Sequence, residues 1–168
     1  LMKLVSLGFL EGFYYKPRID KELLKEYGQG LIALSGCIKG EIARLFQSGK
    51  ADKARTALEE YIDIFGKDNF FLEIQDSGIP EQTAVNKNLL ELSLSKKIPM
   101  VGTNDVHYLT KEDSYYHDVL LCIQMGTTLN ETKRLKFSTQ EYYLKNYDDV
   151  LNIFKNFPGA VENTMEIA

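Results

Sequence analysis

The chain has few of the residues that small domains use as staples. Two cysteines, Cys37 and Cys122, among 168 residues are too few for a disulfide framework and point to a reducing compartment, the cytoplasm. Two histidines, His107 and His117, cannot by themselves furnish a histidine-rich centre of two or three metals. No apolar run approaches the ~20 residues of a membrane span, and no basic-then-apolar leader opens the chain. The patterns GxxxxGK[ST] and GxGxxG are absent, so nothing supports a glycine loop cradling a nucleotide. No serine-centred nucleophile elbow occurs either. Positive charge is not in excess: 20 Lys and Arg against 24 Asp and Glu leave a net −4. A surface built to coat nucleic acid is therefore not expected, although a local basic patch is compatible with that balance.

What is present suits one soluble domain. Hydrophobic residues make up 44% and charged residues 26%, and the length is enough to bury a core. The chain begins at Leu1, and Asn163-Thr-Met-Glu-Ile-Ala168 reads as the middle of a helix, so a longer parent is expected at both ends.

Periodicity and punctuation give the elements. Helices are expected over Met2–Leu10, over Lys21–Tyr27 with Asp20 as cap and Gly28 as stop, and over Glu41–Gln47. The clearest is Ala51–Phe65, with Ala54, Ala57, Leu58, Tyr61, Ile62 and Phe65 on one stripe. Strands are expected at Leu31–Leu34, Phe70–Gln75 and Ile98–Gly102. A helix over Glu81–Lys96 joins the last two. Thr110 caps a helix over Lys111–Met125, with Tyr116, Val119, Leu120 and Ile123 turned inward. Three short helices finish the chain, over Thr139–Lys145, over Asp148–Phe154, and from Pro158 onward. Strands separated by helices imply parallel pairing. Three of them cannot close a barrel, which needs about eight in the common form. Part of a barrel-type α/β fold or a small open sheet follows.

In α/β folds the chemistry gathers at the carboxyl ends of the strands. The three exits here offer Ser35 and Cys37, then Glu73, Gln75 and Asp76, then Asn104, Asp105 and His107. Asp105 and His107 are two positions apart and would share one side of an extended backbone. Thiolate, carboxylate and imidazole together suit zinc or a similar transition metal better than magnesium. Plainer readings stand beside this. A lone Cys37 is more often a small buried residue. Glu73 is equally suited to pairing with an interior Lys or Arg, and Asp105 to capping a turn. His117 reads as a packed or surface histidine and Cys122 as core. Lys133, Arg134 and Lys136 read as a solvated face, with phosphate contact as the minority view.

Five segments in order carry a resemblance: Gly12-Phe-Tyr-Tyr-Lys-Pro-Arg-Ile-Asp20, Gly30-Leu-Ile-Ala-Leu-Ser-Gly-Cys37, Phe71-Leu-Glu-Ile-Gln75, Thr103-Asn-Asp-Val-His-Tyr-Leu109 and Leu120-Leu-Cys-Ile-Gln124. The tail Phe157-Pro-Gly-Ala-Val-Glu-Asn-Thr-Met-Glu-Ile-Ala168 continues it. Nearly the whole chain resembles the PHP (polymerase and histidinol phosphatase) domain carried by bacterial replicative DNA polymerase III alpha subunits.

The resemblance implies a partial, distorted parallel (β/α)7 barrel, here its C-terminal portion. Residues 1–168 would form one domain fragment, with 139–168 a helical lead into the polymerase core. It implies that Cys37, Asp105 and His107 are metal ligands, and that further ligands lie in a His-x-His strand upstream. Ser77 departs from the family, where a histidine is expected. The intact domain would take divalent zinc or manganese and act as a phosphoesterase or 3′–5′ exonuclease. The parent would add nucleotides with magnesium at a separate palm domain. The implied partners are DNA, through the parent, and other replicase subunits, with no membrane. The alternative is a scaffold that binds an accessory proofreading subunit. A fragment lacking its first strands should expose a sheet edge and is expected to self-associate.

Overall fold

Phe70-Phe-Leu-Glu-Ile74 is almost wholly apolar, and such a run suits a strand covered on both faces. In the computed structural model, which describes residues 1–168, it is the middle strand of a three-stranded sheet. The elements in chain order are α1 (Met2–Leu10), α2 (Lys21–Tyr27), β1 (Ala33–Leu34), α3 (Glu41–Gln47), α4 (Ala51–Phe65), β2 (Phe70–Ile74), α5 (Pro80–Lys96), β3 (Met100–Gly102), α6 (Ser114–Met125), α7 (Tyr147–Phe154) and α8 (Asn163–Ile167). Single 3-10 turns occupy Lys67–Asn69 and Lys111–Asp113. β2 pairs in parallel with β1, Ala33 opposite Phe70, and with β3, Leu72 opposite Met100 and Ile74 opposite Gly102. The helical crossovers α3–α4 and α5 impose that direction.

Pleating sends Phe70, Leu72 and Ile74 to one face. There they join Ile42 and Ala43 of α3, Ala54, Ala57 and Leu58 of α4, and Val85, Leu89 and Leu92 of α5 in one core. Leu58, Leu72 and Ile74 are fully buried, each contributing about 1.5–3 kcal/mol of transfer free energy. Beyond β3, Gly102 meets the Phe154 ring of α7. A Cβ there would lie 2.5 Å from the ring edge, so only glycine lets the two elements approach this closely.

Local chemistry sets the helix ends. The Asp20 carboxylate accepts the Leu23 N–H at 2.9 Å and starts α2. Gly66, at φ 84°, ends α4. Pro80 sits in the first turn of α5. A polar network ties α2, α3 and α4 together. Lys21 Nζ lies 2.9 Å from Glu41 and 2.6 Å from Glu60, and the Tyr61 hydroxyl donates to Glu41 at 2.8 Å. The Tyr61 ring also stacks on Phe70, centroids 5.3 Å apart. Burial works against ionisation of Glu41, but hydrogen bonds from Lys21 and Tyr61 outweigh it and hold the carboxyl below its ordinary range.

Four expectations are corrected. Residues 139–145 are not a helix. That backbone runs beside 107–108, with a parallel bridge between Tyr108 and Tyr143. The final helix starts at Asn163 rather than Pro158, because Gly159 at φ 74° turns the chain first. In α6, Tyr116, Leu120 and Ile123 are 66%, 61% and 72% exposed, and Cys122 is the buried residue. The helix roll is fixed by side-chain anchors: Arg134 grips Asp118 through its two terminal guanidinium nitrogens, at 2.5 and 2.7 Å, and His117 packs on Phe137. The apolar stripe is left facing out. The strands are also shorter than expected, β1 beginning at Ala33 because Leu31 closes a turn onto Gly28.

Replacing Tyr61 by Phe removes the bond to Glu41 and should cost about 1 kcal/mol, read as a fall of about 2–4 °C in Tm. Burial, then Glu41, pushes the Tyr61 hydroxyl up to about 12. The fold favours the neutral phenol, so this contribution is intact below its ordinary value of 10.0 and is lost as pH rises through about 12. Denaturant unfolding across that window should show a steeper stability loss for the native sequence than for the Tyr61→Phe variant.

Candidate functional site at the strand exits

All three strands point their carboxyl ends the same way, as parallel pairing requires. At the β1 exit the Ser35 hydroxyl accepts the Glu73 N–H at 2.9 Å. Gly36 turns at φ 79°, and the Gly40 N–H donates to the Cys37 carbonyl at 2.7 Å. A Cβ on Gly40 would lie 2.3 Å from the Ser35 carbonyl oxygen, so glycine closes this turn. Cys37 is half-buried, and its sulfur accepts the Lys39 N–H at 3.5 Å.

At the β2 exit the Glu73 carboxylate takes hydrogen bonds from the Thr103 hydroxyl at 2.5 Å and the Gln75 amide at 3.4 Å. These neutral partners stand where an interior Lys or Arg was the plainer expectation. The Gln75 Oε1 atom is buried without a partner. Ser77 is 1% exposed. Its N–H donates to Gln82 at 2.6 Å and its carbonyl accepts the Thr139 hydroxyl at 2.6 Å. Ser77 therefore anchors the loop between α5 and the 139–145 stretch.

At the β3 exit the strand stops at Gly102, and Asp105 takes a left-handed conformation at φ 55°. Asp105 and His107 thus do not share a side through strand alternation. The turn brings them together instead. His107 Nδ1 lies 2.9 Å from the Asp105 carbonyl oxygen and 3.8 Å from its carboxylate. A carbonyl only accepts, so this bond places the proton on Nδ1 and leaves Nε2 with a free lone pair. The imidazole is held edge-on by Phe137, Tyr142 and His117, at centroid distances of 5.0, 5.2 and 5.5 Å.

Backbone bonds from the 139–145 stretch clasp this loop. The His107 N–H donates to the Tyr142 carbonyl at 2.8 Å, and the Leu144 N–H donates to the Tyr108 carbonyl at 3.0 Å. The Asn104 amide donates to the Tyr143 carbonyl at 2.8 Å. Lys111 and Lys145 both pair with Glu141, at 2.5 and 3.7 Å, fixing the clasp to the turn before α6. Burial lowers the Lys145 ammonium despite Glu141. Burial, then the neighbouring His107, holds His117 below the usual imidazole range.

The donor chemistry suits a soft divalent cation, and Nε2 of His107 is the atom left to bind one. The number of donors does not complete a site. No group of three or more His, Cys, Asp and Glu side chains in this chain lies close enough to hold a metal. Asp105 and His107 meet, and Cys37 forms no three-donor group with them. The clasp was missed from sequence. Its only local signal is the adjacent pair Tyr142 and Tyr143, a residue type that favours extended backbone. Arg134, expected on a solvated face, is instead buried against Asp118.

Comparison with known proteins places these features. The PHP domain model matches residues 1–77, which include Cys37, Glu73 and Ser77. Asp105 and His107 lie beyond that stretch. The whole chain is 44% identical to a DNA polymerase III subunit alpha of Treponema pallidum and 40% identical to that of Borreliella burgdorferi. It is 46% identical to that of Thermus aquaticus over 171 aligned residues. Each alignment spans 100% of this chain, and the chain spans only 14% of the Treponema relative, 15% of the Borreliella one and 14% of the Thermus one.

Exchanging Leu144 for Pro deletes the donor to Tyr108 and little buried apolar surface, since Leu144 is exposed. The expected cost is about 0.5–1.5 kcal/mol, confined to the clasp. Native-state hydrogen exchange should quicken at His107 by about tenfold while β2 amides hold their rates. Unchanged exchange at His107 would show that the 139–145 stretch does not position it.

Proposed function

For a chain that is PHP-domain sequence over residues 1–77 and matches DNA polymerase III alpha subunits along its whole length, we propose a place in the alpha subunit of a bacterial replicative DNA polymerase. The three parallel strands form part of a distorted (β/α)7 barrel, with residues 1–168 one domain fragment leading into the polymerase core. Asp105, His107 and Cys37 serve as ligands in a metal-dependent phosphoesterase or 3′–5′ exonuclease-type site. The remaining donors come from elsewhere in the longer protein. The observation that carries this is the His107 ring, locked through Nδ1 with Nε2 free at the mouth of a parallel sheet. A divalent cation, zinc or manganese, would supply Lewis-acid activation of a phosphodiester there. This chain's own residues orient the imidazole through Asp105, Tyr142 and Phe137.

Polymerisation, with magnesium, belongs to other parts of the parent, whose proposed partners are DNA and other replicase subunits. No helix here is long and apolar enough to cross a membrane, and the proposed setting is the cytoplasm. A second reading, a scaffold that receives an accessory proofreading subunit, draws on the buried, hydrogen-bonded Ser77 and on the outward apolar stripe of α6.

Metal analysis of the whole alpha subunit separates the two. The site reading expects about two or three zinc or manganese ions per chain, a lower content in the Asp105→Asn and His107→Asn variants, and chelator-sensitive 3′-end trimming. A metal-free, fully folded alpha subunit would leave the scaffold. The 168-residue chain alone should not trim DNA ends, because it assembles no three-donor group.

A further inference from the structure

Next to His107, between the first turns of α6 and residues 136–140, lies a cavity of about 170 Å³. Pockets for drug-sized ligands begin at roughly 300 Å³, so this one accepts a single ring system. Tyr115, His117 and Phe137 give it aromatic walls, and Lys136 stands on its rim. Asp118 also lines it, but its charge is taken up by Arg134. Lys136 is exposed and enters none of the eight ion pairs. Tyr108 also lines the cavity, while its hydroxyl is closed off from solvent.

Aromatic walls and one unpaired ammonium fit a nucleotide: a flat heterocycle and an adjoining phosphate. Stacking of bases on aromatic side chains tolerates any sequence. The cavity opens beside the candidate ligands, since His117 and His107 lie 5.5 Å apart, ring to ring. A base held there would bring its neighbouring phosphodiester toward Asp105 and His107. We propose that this cavity seats the terminal base of a single-stranded DNA end, with Tyr115 and His117 as ring contacts and Lys136 as phosphate contact. This rests on the DNA-end reading above and names the specificity element of that same site.

The chain holds only two histidines, so their ring protons are direct reporters in an NMR titration. The 168-residue chain is titrated in chelator and low salt with a thymidine trinucleotide, with the same strand carrying an abasic 3′ terminus, and with thymidine 5′-monophosphate. The trinucleotide should shift the His117 signals saturably. The abasic strand should bind about tenfold more weakly, as should the trinucleotide to a Tyr115→Leu variant. Lys136→Ala should weaken the trinucleotide several-fold, and both variants should keep the native circular dichroism spectrum. Equal binding of the abasic strand, or no shift at His117, overturns the proposal. Monophosphate binding as tight as the trinucleotide's would overturn it in favour of a free-nucleotide site. Because no metal is present, these results stand apart from the trimming assay. A metal-free alpha subunit with this binding intact would sink the metal reading alone.

Discussion

β2 is the only strand paired on both edges, and the rest of the structure is hung from it. Its Phe70, Leu72 and Ile74 side chains carry the core against α3, α4 and α5, while its backbone fixes the register of β1 and β3. Five apolar-rich residues can do this because a parallel strand covered on both faces needs no polar alternation. The one polar residue, Glu73, points to the face away from the core and finds Thr103 on the neighbouring strand exit. The same strand that builds the hydrophobic layer therefore aligns the three exits.

A second layer of organisation acts on the backbone rather than on side chains. The 139–145 stretch runs alongside residues 107–108 and shares three main-chain bonds with that loop. Glu141, shared by Lys111 and Lys145, anchors the stretch at both ends of its charge network. Left-handed Asp105 then turns its own carbonyl onto His107 Nδ1. The imidazole is oriented by this bond and by the aromatic wall, while the Tyr142 carbonyl holds the His107 main chain. Such pre-orientation is what a metal-binding histidine needs, and an isolated surface histidine lacks it. What is missing is a third donor within reach.

Much of this was legible in the sequence, and the failures share a cause. Asp20, Gly28 and Gly66 are local signals with local effects, and the boundaries of α2 and α4 follow from them. The strand order and parallel direction follow from helical crossovers. Asp105 and His107 were legible as a pair, but through strand alternation; the actual cause is a backbone turn with positive φ, which an Asp permits without announcing. The stretch from Thr139 to Lys145 read as a helix because its partner, 107–108, lies more than thirty residues away in sequence. Its adjacent tyrosines favour extended backbone once a neighbour exists. Hydrophobicity alone would turn the α6 stripe inward, whereas Arg134 on Asp118 sets the roll. Whether Cys37 works with Asp105 and His107 was beyond reach, because spacing along the chain does not fix distance between strand exits.

Residue-resolved native-state hydrogen exchange measured against denaturant tests the role given to β2 most directly. The Leu72 and Thr103 amides, bonded to Pro99 and Ile74 across the sheet, should exchange only through global unfolding, with the full free energy of the molecule. The His107 and Leu144 amides should open at lower cost, as a separate unit. If the Leu72 and Thr103 amides exchanged as readily as those of the clasp, the sheet would not be the frame on which the site is built.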